Sequence, residues 1–370
     1  MVKIIHVPLN QNSYNIYIGS KLLTNLDILS SFFKKKNSVL ITNDTIQNIF
    51  CSKKNPCVFN VIKHIPYFII QDGEMYKTLT VVEKILSFLL KKAYGRDLTL
   101  IALGGGVVGD ITGFVASIYQ RGVNFIQIPT TLLAQVDASI GGKTGVNHIL
   151  GKNMIGTFWQ PQGVFVDINF LSSLPKQHLI AGMAEIIKYA IIFEKTFFIW
   201  LEQNISNILD LQEEALLHCI KKCCALKSKV VQEDEKEVNG LRIFLNLGHS
   251  FAHAIEAYTG YGNWLHGNAV SVGIVIASYV SYFSNFLNKH DLLSIIKILY
   301  ITGLPIRGPK KMLPQDYISL MSRDKKVLNN TMRFVLPFSI GKVKTVSFVD
   351  TNVLLRAIQA SQVETYSFVY

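Results

Sequence analysis

The stretch LTLIALGGGVVGDITGFVASIYQRGVNFIQIPTT, residues 98–131, contains a complete strand–turn–helix–strand pattern. An apolar run at 98–106 ends in three glycines, an apolar segment with helical spacing follows at 107–119, and a second strand pattern lies at 123–131. Strands that alternate with helices in this way predict a parallel sheet with helices on its faces.

The same alternation is present toward the N-terminus. Short apolar runs that end in polar turns predict strands at 38–44 and 67–74, and helical spacing predicts a helix at 78–93. Together with 98–131, these segments predict a Rossmann-like α/β domain with a parallel sheet over residues 1–175.

After Pro175 the pattern becomes helical. Apolar residues recur with a helical period in five successive runs, at 176–203, 206–233, 246–258, 268–287 and 291–302. The sequence therefore predicts a C-terminal all-α domain over residues 176–370.

Length and composition limit the classes of protein to consider. The chain has 370 residues, more than one ordinary core accommodates, and its 49% hydrophobic and 17% charged content excludes disorder. A formal net charge of +12 favours anionic partners, namely nucleic acid, acidic lipid or phosphorylated metabolites, although a lysine-rich surface without a partner gives the same value. Because the lysines are scattered rather than clustered with aromatic residues, we expect no nucleic-acid partner.

The cysteines and the apolar segments bear on the cellular compartment. The five cysteines form no CxxC pair, and Cys223 and Cys224 are adjacent, which suits neither a structural disulfide nor a zinc knuckle. The first ten residues lack the apolar core of a signal peptide. Residues 269–287 carry no charge and are long enough to span a bilayer, but they contain four serines and are solitary, so we predict a buried helix. We therefore expect a cytoplasmic protein without a membrane partner.

The glycines of the opening stretch are candidates for nucleotide binding. Gly104, Gly106 and Gly109 fit the pattern GxGxxG between a strand and a helix, where the backbone approaches a pyrophosphate and the helix N-terminus attracts negative charge. The acidic residue usual about 20 residues downstream is absent, and acidic strand ends lie upstream instead. A plain glycine-rich turn is the alternative.

A second glycine-rich loop, GGKTGVNHILGKN at 141–153, presents Lys143, Lys152 and Asn153. It is not a P-loop, because Asp137 occupies the position of the first glycine of that motif. Lysines among glycines favour binding of a phosphate or another oxyanion, and a solvated loop is the alternative.

Charged groups also occur on an otherwise apolar helix. In AGMAEIIKYAIIF, residues 181–193, Glu185 and Lys188 lie one turn apart. A carboxylate and an amine in so apolar a place are costly unless they are paired or bound to metal. An intrahelical salt bridge and a metal ligand both account for Glu185.

Three histidines lie close together in LNLGHSFAHAIEAYTGYGNWLHGNAV, residues 245–270. His249 and His253 share one face of a helix, and His266 follows shortly after. Zinc binds nitrogen and carboxylate ligands and keeps one position open in catalytic sites. Helical spacing alone favours His249 and His253 as ligands, with His266 or Glu185 as the third.

These segments, taken together, resemble the 3-dehydroquinate synthase family of the sugar phosphate cyclase superfamily. The similarity extends in order from about residue 70 to 345. The motifs that carry it are DGEMYK, GGGVVGD, YQRGVNFIQIPTTLLAQVDASIGGKTGVNH, GKNMIGTFWQP, AEIIKY, GLRIFLNLGHSFAHAIEA and GYGNWLHGNAV.

The resemblance implies an enzyme with an N-terminal NAD-binding domain and a C-terminal metal- and substrate-binding helical domain. Its substrate would be a phosphorylated heptulosonate, 3-deoxy-D-arabino-heptulosonate 7-phosphate, and its product 3-dehydroquinate. The reaction would use NAD and one zinc or cobalt ion, and the bound phosphate and carboxylate would account for part of the positive charge.

The resemblance also assigns residues. The implied metal ligands are Glu185, His249 and His266, which replaces the choice based on helical spacing, and His253 would act on the substrate's phosphate end or carry protons. The implied substrate residues are Lys143, Asp137, Asn153, Lys188, Lys227, Arg242, Asn246 and Lys325 or Lys326. The implied NAD residues are Asp72, Gly73, Glu74, Lys77, Gly106, Val107, Gly109, Asp110, Thr130, Thr131, Lys143, Lys152, Phe170 and Ser173. Asn268 departs from the family pattern, which usually has glutamate there, beside a ligand.

Arg121 requires a second subunit if the resemblance holds. The helix at 107–119 runs away from the edge of the sheet where ligands bind, so Arg121 lies at the opposite edge, at the start of the next strand. The family pattern nevertheless places this arginine at the substrate's phosphate. The two statements agree if the protein is a homodimer in which Arg121 acts in trans.

Two rival functions come from the same fold. A glycerol-type dehydrogenase would not need so many cations around a metal, whereas a cyclase for a different sugar phosphate has the same requirements. Analysis of the product distinguishes such a cyclase from a 3-dehydroquinate synthase.

Overall fold

A computed structural model of the chain describes residues 2–24, 32, 37–50, 64–322, 327–328, 331–347 and 349–363. The chain divides into two compact units. The first comprises residues 1–175 and 211–236, and the second comprises residues 176–210 and 237–370. The first break follows Pro175, where the pattern changes, but 211–236 does not belong with the helical unit to which we assigned it.

The strands are β1 Lys3–Val7, β2 Tyr14–Gly19, β3 Ser38–Asn43, β4 Tyr67–Ile70, β5 Thr99–Gly104, β6 Asn124–Pro129, β7 Lys143–His148, β8 Gly151–Phe158, β9 Gly163–Asp167, β10 Val327–Leu328, β11 Thr331–Met332, β12 Phe334–Ser339 and β13 Lys342–Val346. The α-helices are α1 Asp44–Phe50, α2 Leu79–Lys91, α3 Gly106–Ile118, α4 Lys176–Phe193, α5 Lys195–Leu209, α6 Glu213–Glu233, α7 His249–Thr259, α8 His266–Phe283, α9 Lys289–Ile301, α10 Pro314–Met321 and α11 Thr351–Val363.

The first unit is built on a seven-stranded sheet in the order β1-β2-β9-β6-β5-β3-β4. All neighbouring strands are parallel except β1 and β2, which form an antiparallel pair at one edge. Strands β3, β5 and β9 are buried at every position, as expected where helices or loops cover both faces of a parallel sheet. The predicted strands between residues 38 and 131 all lie in this sheet, whereas β1, β2 and β9 were not predicted.

Alternate residues of the central strands supply two cores. Val39, Ile41 and Leu100 face one side and pack with residues of α2 and α3. Leu40 and Ile101 face the other side and pack with Phe165 and Phe170, among others. This alternation follows from the period of two residues in a β-strand.

Helix α6 belongs to the first unit because of its contacts there. It packs against β1, β2 and the helical turn Ala134–Ala138. Its buried residues include Cys219, Cys223 and Cys224, which are free thiols, and burial raises the pKa of Cys223 and Cys224 above the usual range for cysteine. The thiols of Cys223 and Cys224 therefore stay protonated at neutral pH, in agreement with the absence of metal or disulfide spacing in the sequence.

The second unit differs in detail from the predicted helical runs. The run at 176–203 is two helices, α4 and α5, because the backbone at Glu194 is extended and precedes α5 as its N-cap. The run at 206–233 likewise contains the end of α5 and the start of α6, separated by Leu211, whose φ is +57°. Two short hairpins, β10–β11 and β12–β13, were not predicted in a domain expected to be all α.

Helix α8 is the buried core helix predicted for the uncharged segment. It is buried at every position from Ala269 to Ser281. Its buried serines hydrogen-bond to backbone carbonyls, Ser271 to Pro305 at 2.8 Å and Ser278 to Ile274 at 2.8 Å, which accounts for their presence in an apolar helix. In the described part of the chain, no helix combines the length and the apolar character that crossing a membrane requires.

Two glycines of α8 allow three helices to approach closely. A Cβ atom on Gly267 would lie 1.8 Å from the carbonyl oxygen of Ala181 in α4, and one on Gly273 would lie 2.1 Å from that of Gly248, the N-cap of α7. Real Cβ contacts are never so short, and the obstacle is backbone rather than a flexible side chain. These contacts fix the positions of α4 and α7 against α8.

Replacing Gly267 by alanine is expected to destabilise the protein by about 3 kcal/mol, because the new methyl group forces two packed helices apart. Chemical denaturation, followed by circular dichroism, measures the loss. Gly19→Ala is the matched control, since a Cβ atom there meets no atom closer than 3.7 Å, and it should change the free energy of unfolding little. An unchanged value for Gly267→Ala would show that the close helix contact is wrong.

Candidate functional site

The carboxyl ends of the parallel strands in the first unit form one edge of the sheet. Strands β3, β4, β5 and β6 run in the same direction, so Asp44, Asp72, Gly104 and Thr130 lie at this edge. Ligands of open α/β sheets bind at such an edge. The acidic residues upstream of the glycine motif are thus close to it in the fold.

The glycine motif has the strand–turn–helix context that a nucleotide-binding motif requires. Strand β5 ends at Gly104 and α3 begins at Gly106. A Cβ atom on Gly109 would lie 2.5 Å from Oε1 of Gln127 in β6, so glycine lets the first turn of α3 lie close to the sheet. Val107 and Asp110 also lie in the first turns of α3 and were predicted to bind the cofactor.

The segment DGEMYK, residues 72–77, is held at this edge by hydrogen bonds to the residues at the end of β3 and just after it. Asp72 accepts a hydrogen bond from Asn43 Nδ2 at 2.7 Å, and the backbone N–H of Asp72 donates to Asp44 at 3.1 Å. Gly73 has a φ of +121°, which favours glycine and turns the chain so that Glu74 and Lys77 follow.

Lys77 joins the glycine motif to the hairpin formed by β7 and β8. Its Nζ donates to Asp110 at 2.5 Å and to Oδ1 of Asn153 at 2.5 Å, although the side chain is almost fully buried. Asn147 donates to Glu74 at 2.8 Å and accepts from the backbone N–H of Asn153 at 2.9 Å. Residues that the sequence distributes over three motifs therefore form one polar network.

Asp110 is the perturbed acid of this network. Burial raises the pKa of the Asp110 carboxyl above its ordinary value, and the adjacent Lys77 ammonium opposes the rise. A carboxylate and an ammonium that are desolvated together are placed to bind polar groups of a ligand.

The remaining predicted cofactor residues have different surroundings. Thr130 is buried, and its hydroxyl has no hydrogen bond in the described part of the chain, whereas the hydroxyl of Thr131 caps Ala134. Phe170 lies in the core, and Ser173 donates to the Phe170 carbonyl at 2.9 Å. The side chain of Phe170 therefore serves packing.

The lysines assigned to the substrate or to NAD after the glycine motif differ in exposure. Lys227 of α6 is buried and donates to the backbone carbonyl of Asp137 at 2.7 Å, and its Nζ also forms an ion pair with the Asp137 carboxylate. Asp137 lies in the π-helical turn Ala134–Ala138, a conformation that is frequent at functional sites. Lys143 is exposed at the start of β7, and Lys152 is half-buried in β8.

The second unit brings Glu185, His249 and His266 together. The Nε2 atoms of His249 and His266 lie 3.6 Å and 3.5 Å from the same oxygen, Oε1 of Glu185. Two ligand atoms bound tetrahedrally at the usual zinc–nitrogen and zinc–oxygen distances lie about 3.3 Å apart. Among the residues that the structure describes, these three form the one group of potential metal ligands at such distances.

The other nitrogen of each histidine contacts an oxygen. Nδ1 of His249 lies 3.2 Å from the backbone carbonyl oxygen of Leu247, and Nδ1 of His266 lies 3.2 Å from Oε1 of Glu256. A proton on Nδ1 leaves the lone pair of Nε2 directed toward Glu185 in both rings. This arrangement is common in histidines that bind metal.

Glu185 forms the intrahelical ion pair that its sequence context allowed, and it also lies among potential metal ligands. It is fully buried and forms an ion pair with Lys188, one turn later in α4. Neither of its carboxylate oxygens has a hydrogen bond of normal geometry to the described residues. A buried carboxylate with so little compensation is costly unless a cation completes its surroundings.

His253 is not part of this group. Its ring is 5.8 Å from that of His249, centroid to centroid. Helical spacing alone favoured His249 and His253 as a pair, and the structure assembles a different group. Glu185 of α4 and His266 of α8 lie next to His249, and His253, one turn later, is outside this group.

Further polar residues assigned to the substrate lie in the same unit. Arg242 is almost fully buried, and Asn246 donates to Glu237 at 3.3 Å. Lys325 and Lys326 lie outside the described residues.

Arg121 lies at the opposite edge of the sheet in the first unit, in an exposed turn before β6. Gln120 and Arg121 both have positive φ, +51° and +65°, and Gly122 has a φ of +120°. Successive left-handed residues other than glycine are unusual and mark functional sites when the surrounding structure holds them. Trp159 does so here, since its Nε1 donates to the Val123 carbonyl at 3.0 Å and its ring packs on Gly122.

Several residues of the site were not predicted from the sequence. Glu256 was visible as a carboxylate one helical turn after His253, but only the fold brings it to His266. Asn43 and Asn147 gave no signal beyond their positions at a strand end and in a glycine-rich loop.

Comparison with known proteins gives consistent results along the whole chain. Family models of the 3-dehydroquinate synthase N-terminal and C-terminal parts match residues 67–181 and 182–327. The 3-dehydroquinate synthase of Buchnera aphidicola subsp. Cinara cedri (strain Cc) is 64% identical over 362 residues, which cover 98% of each protein.

Two solved structures extend the comparison. The valiolone synthase ValA of Streptomyces hygroscopicus subsp. jinggangensis 5008, with NAD+ and Zn2+ bound, is 25% identical and superposes with a TM-score of 0.87 over 96% of this chain and 98% of its own. A 2-deoxy-scyllo-inosose synthase in complex with carbaglucose-6-phosphate, NAD+ and Co2+ is 26% identical, with a TM-score of 0.84 over 97% and 99%.

Proposed function

The chain belongs to the 3-dehydroquinate synthase family, and we propose that the residues assembled in its two units carry out the reaction of this family. The enzyme converts 3-deoxy-D-arabino-heptulosonate 7-phosphate to 3-dehydroquinate and phosphate in the pathway to the aromatic amino acids. The reaction comprises oxidation by NAD, elimination of phosphate, reduction and an intramolecular aldol step.

The observation that carries this proposal is the group formed by Glu185, His249 and His266. Two imidazole nitrogens that lie 3.6 Å and 3.5 Å from one buried carboxylate oxygen fit a divalent zinc or cobalt ion, as bound in the two similar synthases. Three protein ligands leave a position for substrate oxygen atoms, as catalytic sites require.

The edge of the sheet in the first unit fits NAD. Gly106 and Val107 in the first turn of α3 offer backbone N–H groups to a pyrophosphate, Gly109 lets this turn lie close to the sheet, and Asp110 adds a carboxylate. We propose that the unsatisfied hydroxyl of Thr130 supplies a further contact, together with Asp72, Gly73, Glu74, Lys77, Thr131, Lys143, Lys152, Ser173 and the backbone of Phe170.

When bound, NAD supplies reversible hydride transfer and the metal ion polarises substrate oxygens. The protein's own residues hold the anionic groups of the substrate. We assign this role to Lys143, Asn153, Lys188, Lys227, Arg242, Asn246 and one of Lys325 and Lys326. Asp137, already paired with Lys227, would accept a hydrogen bond from a substrate hydroxyl, and His253 would move protons at the phosphate end.

The buried cations explain why phosphate leaves readily. Lys188 and Arg242 are desolvated, so their attraction for a phosphate or a carboxylate is screened less than at an exposed surface. The leaving phosphate dianion is itself a base that takes up the adjacent proton, so elimination needs no further strong base.

Arg121 completes the substrate's phosphate site from a second subunit in this proposal. Its exposure, its position at the opposite edge of its own sheet and the strained turn at Gln120 support a role outside its own subunit. The protein would then function as a homodimer.

The test of function is an assay with the heptulosonate phosphate, zinc and a trace of NAD. Because NAD is reduced and reoxidised within one turnover, we expect many molecules of phosphate and dehydroquinate per NAD and no net increase in absorbance at the NADH band. Stoichiometric accumulation of NADH would assign the chain to the dehydrogenases that share its fold. Phosphate release with a different carbocycle would assign it to a related cyclase.

A further inference from the structure

Glu256 is placed to act on a metal ligand from outside the ligand group. It lies on α7, seven positions after His249, and therefore on the same face of that helix. Its Oε1 is 3.2 Å from Nδ1 of His266, and its side chain is almost fully buried.

The buried position of Glu256 requires an explanation in addition to packing. An ionised carboxylate loses several kcal/mol of hydration on burial, and only a charged or strongly polar partner offsets this loss. His266 provides that partner with the nitrogen that faces away from Glu185. The contact therefore orients the ring while it compensates the charge.

The two histidines differ in what holds them. His249 has the neutral backbone carbonyl of Leu247 at its Nδ1, whereas His266 has a carboxylate. A carboxylate accepts a stronger hydrogen bond than a neutral carbonyl and makes the opposite nitrogen a better electron donor. The Glu256 side chain can therefore set the donor strength of His266.

We propose that Glu256 is a positioning residue for the metal centre. It fixes the proton of His266 on Nδ1, holds the ring toward Glu185 and strengthens the bond from Nε2 to the metal ion. This inference rests on the proposed metal role of Glu185, His249 and His266.

A purely structural role for Glu256 predicts a different result. In that case Glu256 only links α7 to α8, and its loss lowers the stability of the metal-free protein without a separate effect on metal binding. Metal affinity and the stability of the metal-free protein must therefore be measured side by side.

The experiment titrates Co2+ and Zn2+ into metal-free protein in competition with a chromophoric chelator. Glu256→Gln keeps an acceptor for Nδ1 but loses the charge, and we expect about tenfold weaker binding; Glu256→Ala loses both, and we expect a loss of up to about 100-fold. The visible spectrum of bound Co2+ should also change in Glu256→Gln, because the field of one nitrogen ligand is weaker.

Asp291→Asn is the matched control. Asp291 is another buried carboxylate of the second unit, with Nδ1 of His290 at 3.4 Å, but it lies in the first turn of α9 and accepts a hydrogen bond from the backbone N–H of Ile340. Its replacement should leave metal affinity unchanged. If Glu256→Gln does not fold, Glu256→Asp, which keeps the charge and shortens its reach, should weaken binding in the same direction.

Three outcomes would overturn the inference. These are wild-type affinity and spectrum in Glu256→Gln and Glu256→Ala, equal losses in Asp291→Asn, or a loss of affinity fully accounted for by lower stability of the metal-free protein. If wild-type protein itself binds neither Co2+ nor Zn2+, the proposed metal role fails, and this result is distinct from a failure of Glu256 alone.

Discussion

Replacing Glu185, His249 or His266 by alanine is expected to remove bound metal and catalytic activity together. Each residue supplies one ligand atom to a group of three, so its loss leaves two ligands, too few to hold a catalytic ion. We expect kcat/KM to fall by about three orders of magnitude, the equivalent of the several kcal/mol that a metal contributes to transition-state stabilisation. Metal content by elemental analysis and turnover are measured on the same samples.

His253→Ala is the control for this experiment. The ring of His253 is near that of His249 but outside the ligand group, so the variant should keep its metal and lose turnover. If His253→Ala loses its metal and His266→Ala retains it, the ligands are His249 and His253, as helical spacing favoured, and the proposed ligand set is rejected.

The second large effect concerns Arg121 and subunit exchange. Arg121→Ala and Lys143→Ala should each be inactive as homodimers, because each removes a cation from every site. If the two variants are refolded together in equal amounts, half of the dimers are mixed, and each mixed dimer has one intact site of two. Activity should return to about a quarter of the wild-type value for a two-fold dimer.

A matched mixture separates this effect from nonspecific reactivation. Lys143 and Asn153 belong to the same hairpin, so a mixture of Lys143→Ala and Asn153→Ala should recover no activity in any dimer. Native mass spectrometry verifies that mixed dimers form. Mixed dimers without recovery in the Arg121 experiment would place Arg121 in its own subunit's site or outside the site.

The sequence predicts the centre of the sheet well because the signals there are local. The runs at 98–106 and 123–131 are apolar, are bounded by glycine or proline, and become β5 and β6. Strands β1, β2 and β9 were missed. The first two lie at or near the edge of the sheet and mix buried positions with half-buried or exposed ones.

Long-range contacts account for the other differences. The helical period of 213–233 does not reveal that α6 packs against β1 and β2 of the first unit. Helical spacing likewise shows that His249 and His253 share a face but not which neighbour presents Glu185. The resemblance to a family supplied that set, and the ligands on α4, α7 and α8 meet only in the fold.

The positions of these ligands along the chain have a consequence for the lifetime of the folded state. Since Glu185, His249 and His266 lie on α4, α7 and α8, an ion held by all three would cross-link α4 to a pair of helices that lie far from it along the chain. An ion bound in this way restricts the unfolded chain, and it binds the folded form in preference to the unfolded form. Metal binding and folding are therefore linked equilibria. Opening of this part of the second unit then requires release of the ion, and the metal-free enzyme exposes the same helices to proteases and to amide hydrogen exchange sooner. If the ion binds these three residues, metal supply sets how long the protein persists as well as how fast it works.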